Sequence, residues 1–205
     1  YNWEFSTSVQ HELMPRLGID VGYFRRWFGN FQVTQVQGLT AADFDPYSVA
    51  VPVDPGLPDG GGYRIERLYN LNPSKVGVGT IYTTLARDFG DQTEYWNGVD
   101  FSANARLQNG LVLQGGVSTG RTTTNNCFSN ARPDLTPAGF VANTPRVDAY
   151  CDVQPPFSAN TQLKVNGAYP LPLDMMVSAV YQNIPGIPVT ATTVFTTLDV
   201  ARSLG

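Results

Sequence analysis

The sequence predicts an all-β chain, built as an antiparallel up-and-down meander of long strands. Three observations carry this: strict alternation over long arms, connections that run short and long in turn, and no amphipathic helical period anywhere. Residues 2–34 set the pattern. Trp3, Phe5, Thr7 and Val9 share one parity, and Asn2, Glu4, Ser6, Ser8 and Gln10 the other. That is the period of a strand with one apolar and one polar face. The segment Leu13-Met14-Pro15-Arg16 then reverses the chain. The second arm sets Leu17, Ile19, Val21, Tyr23 and Trp27 against Gly18, Asp20, Gly22 and Arg26. Both arms exceed the usual five or six residues of a soluble strand. Each has room for the roughly 9–11 tilted residues that cross a bilayer.

The remaining arms follow in order. Gln35 to about Thr93 reads as a long irregular stretch, broken by Asp45-Pro46, Asp54-Pro55, Pro58-Asp59 and Gly60-Gly61-Gly62. Short strands or turns are expected inside it around Tyr63–Tyr69 and Gly79–Leu85. A third arm, Glu94–Leu107, sets Val99, Phe101, Ala103, Ala105 and Leu107 against Asp100, Ser102, Asn104 and Arg106. Gln108-Asn109-Gly110 predicts a tight turn of the two-residue Asn-Gly kind. The fourth arm is Leu111–Thr124, and a second long loop spans about Asn125 to Pro156. The fifth arm, Phe157–Tyr169, a Pro170–Leu173 turn and the sixth arm, Asp174–Asn183, complete the pattern. The Thr-rich tail offers one more strand, Val189–Leu198.

Composition narrows the function classes. Of 205 residues only 15% are charged, 12% are aromatic, and the net charge is −4. No basic cluster extends beyond Arg25-Arg26, so no nucleic-acid partner is expected. No run reaches 18 consecutive apolar residues, which excludes a transmembrane helix. No secretory signal opens the chain and its first residue is not Met, so a processed product or a fragment is expected.

The connections point to a membrane. Every short turn falls at one end of the strands and every long loop at the other, as in outer-membrane barrels. Glu4, Asp20, Arg26, Asp100, Arg106 and Lys164 share the polar parity, and Arg25 alone is expected on the apolar one, near the loop end where it can reach head groups. Trp3, Trp27, Tyr95 and Phe157 lie ten to twelve residues above the short turns on the apolar parity, positions suited to an aromatic girdle. Trp96 has the opposite parity and is expected to point inward. Six strands, or seven with the tail, fall short of the roughly eight that close the smallest membrane barrel. The chain therefore reads as 1–205 of a partial outer-membrane barrel with loops at about 35–93 and 125–156.

The run NWEFSTSVQHELMPRLGIDVGYFRRWFGNF, the Pro/Asp/Gly loop and EYWNGVDFSANARL together resemble the C-terminal barrel of TonB-dependent outer-membrane receptors. The likeness is to the type with a carboxypeptidase-regulatory-like N-terminal domain. It implies a barrel of about 22 strands with a plug in its lumen. It also implies ligand uptake across the bacterial outer membrane, driven by an inner-membrane TonB complex. The partners implied are outer-membrane lipid, the remainder of the barrel, the plug domain and an unknown small ligand, glycan or peptide. No plug or energy-coupling box is visible in the sequence. Gly205 replaces the terminal aromatic of such barrels, so the expected C-terminus lies further on. No binding residue of the family maps by motif onto this chain.

Chemistry-bearing motifs are sparse. There is no HExxH, GxSxG or phosphate loop, and neither enzyme activity nor a cofactor is expected. The single histidine, His11, sits beside a short turn and reads as a surface residue. Gly60-Gly61-Gly62 reads as a loop tip. Asp43, Asp45, Asp54 and Asp59 match no EF-hand spacing and read as solvated charges. Cys127 and Cys151 share the second long loop, and an oxidising setting favours a disulfide between them. Closing that loop stabilises it by roughly 3–4 kcal/mol in the chain-entropy model. Tyr63, Arg64, Arg67 and Tyr69 are the candidate binding residues, because loops on a rigid scaffold carry recognition. The competing class is a secreted β-sandwich or adhesin-like module that binds through its loops.

Overall fold

The computed structural model describes residues 1–137, 144–186, 194–196, 198, 200 and 201. In chain order its strands are β1 (Asn2–Met14), β2 (Leu17–Phe28), β3 (Gln32–Gln37), β4 (Phe44–Ala50), β5 (Arg64–Leu71) and β6 (Thr80–Leu85). Then come β7 (Thr93–Arg106), β8 (Val112–Asn125), β9 (Leu135–Pro137), β10 (Asp152–Val153), β11 (Gln162–Leu171) and β12 (Met175–Asn183). One four-residue α-helix, Asp148–Cys151, precedes β10. Two compact units result. The first comprises Tyr1–Phe28, Glu94–Thr123 and Gln154–Pro188, and the second comprises Gly29–Thr93, Thr124–Val153 and Val189–Gly205. The tail strand expected over Val189–Leu198 lies largely outside the described residues.

The first unit is an antiparallel meander in the order β1-β2-β7-β8-β11-β12. Its register is continuous. Val9 pairs with Val21 and Val21 with Phe101, while Gln10 pairs with Asp20 and Asp20 with Ser102. Side chains of paired residues stand on the same face, so the two parities become one apolar and one polar surface. Each of its strands from β1 to β8 runs 12 to 14 residues. Among the described residues, the buried apolar side chains are Val33, Leu39, Val49, Leu68, Ala86, Leu135 and Cys151, all of the second unit. The meander thus exposes its apolar face along its whole length.

The short turns differ in detail from expectation. After β7, the Gly110 amide donates to the Leu107 carbonyl, and the Leu107 amide to Leu111. Gly110 has φ of 83° while Asn109 does not enter the left-handed region. The loop therefore has three residues, with glycine at its left-handed position, instead of an Asn-Gly two-residue turn. Between β11 and β12 the turn comprises Pro172, Leu173 and Asp174, because Pro170 and Leu171 still pair with Met176 and Met175.

The fifth arm was expected to begin at Phe157. It begins at Gln162, and Phe157–Asn160 form a 3-10 turn. The Phe157 carbonyl accepts the hydroxyls of Thr119 (3.1 Å) and Thr161 (2.9 Å). Two side-chain donors thus hold it in place of a ladder partner, directly after Pro155-Pro156.

The second unit replaces the expected irregular stretch with short strands. β5 and β6 fall where short strands were expected, while β3 and β4 are additional. β4 and β5 form a hairpin, and β3 runs between β6 and β9 in a three-stranded sheet. Val33, Ala86 and Leu135 form a small core packed by Phe31, Phe89 and Phe128. Arg146, 2% exposed, donates to the carbonyls of Ser129 (3.3 Å) and Leu135 (2.9 Å). Burial pulls its pKa below the ordinary arginine value, and Coulomb interaction with Tyr69 and Asp134 offsets only part of that fall. Arg132 grips the buried Asp134 carboxylate through two bonds of 2.9 and 2.6 Å, which raises its own pKa.

Candidate functional site

Two surfaces of the meander and one segment of the second unit hold the candidate residues. On the apolar face, Trp3 pairs with Trp27 and Trp27 with Tyr95. Three girdle candidates from three strands thus form one transverse row. Arg25, two residues nearer the short turns, places its guanidinium 5.8 Å from the Trp27 ring centroid and 5.5 Å from that of Tyr95. The positive charge leans back onto the π-faces of the row, the arrangement that attracts it electrostatically. Ten residues separate Leu17 from Trp27. At about 3.4 Å per residue and a tilt near 40°, they span about 26 Å, close to the apolar band of an outer-membrane barrel.

Phe157, the fourth girdle candidate, lies outside the strand but is covered by a guanidinium as well. Arg121 sits 4.7 Å from its centroid. Arg121 shares the parity of Leu113, Gly115 and Val117 on β8. Arg25 is therefore not the only charge on the apolar face, and each of the two lies at the loop end over an aromatic ring. The sequence carried that signal in its parity, but the glycine-rich arm made it faint.

The polar face holds a cleft of about 430 Å³ whose lining includes Glu4, Arg26, Glu94, Trp96, Asp100 and Ser118. Trp96 lies on this face, as its parity predicts. Glu4 and Arg26 are cross-strand partners joined by an ion pair of 2.7 Å. Ser118 donates its hydroxyl to Asp100. Both members of the Glu4–Arg26 pair are exposed, so the pair contributes little to stability.

The four candidate recognition residues have different surroundings. The guanidinium of Arg64 donates to the Ser48 hydroxyl. The Tyr63 carbonyl accepts from Val51, and the side chain is exposed. Arg67 has φ of 57°, accepts the Arg146 amide at its carbonyl (3.0 Å), and donates to the Asn130 carbonyl (3.5 Å). Tyr69 pairs with Pro46 and is half-buried. Tyr63 and Arg64 thus offer surface, while Arg67 and Tyr69 help brace the second unit.

Cys127 and Cys151 form a disulfide, with Cα atoms 4.9 Å apart. Asn130 donates to the Cys151 sulfur (3.2 Å) and to the Asp148 carboxylate (3.2 Å). Cys127, Asp148 and Cys151 bring their ligand atoms within 4.8 Å of one another. As a disulfide, however, the sulfurs offer no thiolate to a metal. Among the loop carboxylates, Asp43 is occupied by the Thr40 amide and hydroxyl and by Lys75 at 2.8 Å. Asp54 accepts from the Gly56 amide.

No helix among the described residues is long and apolar enough to cross a membrane, which says nothing of strands. No protein-family model, curated protein or solved structure matches the chain.

Proposed function

We propose that the meander is a segment of an outer-membrane β-barrel of the TonB-dependent receptor kind, which takes up a ligand across that membrane. The observation that carries the proposal is the Trp3–Trp27–Tyr95 row, which borders an uncovered apolar sheet face. A single-layer sheet in water would leave Phe5, Val9, Val21, Phe101 and Val165 hydrated, at a cost of roughly 25 cal/mol per Å² of apolar surface. Lipid removes that cost. The two edges, β1 and β12, are exposed throughout. Open edges are not tolerated in hydrocarbon, so further strands complete the barrel. Its polar face lines the lumen, which in this class holds a plug coupled to the inner-membrane TonB complex. The second unit, made of chain between β2 and β7 and between β8 and β11, supplies ligand recognition in this reading, with Tyr63 and Arg64 foremost.

Membrane extraction tests this. The full-length protein is expected in the outer-membrane fraction, resistant to urea wash and released by detergent. Recovery in the aqueous fraction would favour a secreted sandwich or adhesin-like module.

A further inference from the structure

The polar cleft contains a feature that neither strand pairing nor charge segregation requires. Trp96 lays its six-membered ring on the backbone of two buried glycines from neighbouring strands. A Cβ on Gly98 would come within 2.1 Å of its Cη2, and one on Gly120 within 2.6 Å of its Cζ2. Any larger residue at either position would push the ring off the sheet. The ring thus lies over the two glycines, and Trp96 lines the cleft.

Charge around this platform is unequal. Glu4 is neutralised by Arg26. Arg25 borders the cleft too, but its guanidinium lies over Trp27 and Tyr95. Glu94 and Asp100 line the same cleft and share the parity of Trp96 on β7, two residues before it and four after it, while Arg26, opposite Trp96 on β2, is held by Glu4. Lys164 shares an adjoining cleft with Asp100, yet among the described residues neither Glu94 nor Asp100 has an ion-pair partner within 4.0 Å. An indole face in a cleft with two carboxylates that lack an ion-pair partner attracts a cation through its quadrupole and through Coulomb's law together.

We propose that this cleft binds an organic cation, with an ammonium group seated on Trp96 in the field of Glu94 and Asp100. A neutral saccharide would also stack on the ring, but would leave both negative charges uncompensated. The placement of the cleft in a barrel lumen rests on the membrane reading above; the chemistry of the cleft does not.

The test uses the full-length protein in detergent, in a Trp3→Phe/Trp27→Phe background, so that among the three tryptophans of this chain only Trp96 remains. Residues outside this chain are covered by subtracting the signal of a matched Trp96→Phe variant. Tetramethylammonium chloride is titrated against NaCl at constant ionic strength, with glucose as the neutral comparator. Expected is a saturable change in Trp96 emission with tetramethylammonium and none with glucose. The variant Glu94→Gln/Asp100→Asn is expected to raise the midpoint severalfold, because it removes the Coulomb attraction of both carboxylates. Gly98→Ala is expected to shift the emission before any probe is added and to abolish the response. A response to glucose alone, no saturable response in correctly assembled protein, or a midpoint unchanged by the carboxamide variant would overturn the proposal. Heat-modifiable migration of the same samples reports assembly separately. Cation binding by a protein that needs no detergent would leave this site standing and remove the membrane reading.

Discussion

Trp27 lies directly opposite Tyr95 in the register of β2 and β7, and the Arg25 guanidinium reaches both rings. The pairing fixes the height of two aromatics on one face, and Trp3 extends the row to β1. Register sets this relation, since a one-residue slip would carry every ring to the other face. In outer-membrane barrels, aromatic rows of this kind lie where strands leave hydrocarbon for water.

Parity is the first consequence to test. Val165→Arg and Phe101→Arg are expected to impair outer-membrane assembly much more than Asn166→Arg and Asn104→Arg. A lipid-facing arginine near the midplane costs about 2–4 kcal/mol, while lumen positions are tolerant. Heat-modifiable, protease-resistant material in outer-membrane fractions measures the difference. Equal damage from both sets would reject the lipid-facing assignment.

The disulfide closes a loop of 24 residues in sequence separation. Cys127→Ser/Cys151→Ser is expected to destabilise the second unit by about 3 kcal/mol. Limited proteolysis of intact protein, with and without reductant, should show faster cleavage within 125–156. A non-reduced digest should contain the linked peptides.

Arg146 anchors the same unit from inside. Arg146→Met is expected to lower its stability by about 2–3 kcal/mol, because the Ser129 and Leu135 carbonyls lose a charged donor. Thermal unfolding and proteolysis should both register the loss, whereas Arg64→Met, at an exposed position, should change stability by less than about 0.5 kcal/mol.

Much of this was legible in the sequence, for a physical reason. Where one face of a sheet is apolar along 12 to 14 residues, parity alone fixes strands, faces and the Trp3–Trp27–Tyr95 row. The second unit was less legible because β3, β4 and β6 are only six or seven residues long. They are also held by distant partners: Val33 pairs with Thr84 and with Pro137. Pro46 inside β4 reads as a turn but pairs with Tyr69. Phe157 fits the alternation of the fifth arm by residue type. Its strand is broken by hydroxyls from Thr119 and Thr161, a contact that no local pattern reveals. The cleft was half visible: parity put Trp96 on the polar face, but only the structure lays it over Gly98 and Gly120.

Acid should loosen one contact selectively. Lys75, and after it the Thr40 amide and hydroxyl, hold the Asp43 pKa at about 2. A depressed carboxylate contributes stability above its ordinary pKa and loses it as pH falls toward the depressed value. The Thr40 amide resonance should therefore titrate near pH 2, and Lys75→Met should move that midpoint up toward the ordinary carboxylate range. A Thr40 midpoint near pH 4 in the unmodified protein would contradict the pairing.

The three tryptophans offer the most direct test of the membrane assignment, since Trp3 and Trp27 lie on the apolar face and Trp96 on the polar one. Variants that keep one of the three, with the others changed to Phe, are reconstituted in vesicles of brominated phospholipid, and the emission of a variant lacking all three is subtracted. Strong quenching is expected for Trp3 and Trp27 and weak quenching for Trp96, which should instead respond to a water-soluble quencher. Equal lipid quenching of all three, or none of any, would contradict a lipid-facing apolar surface and a lumen-facing polar one.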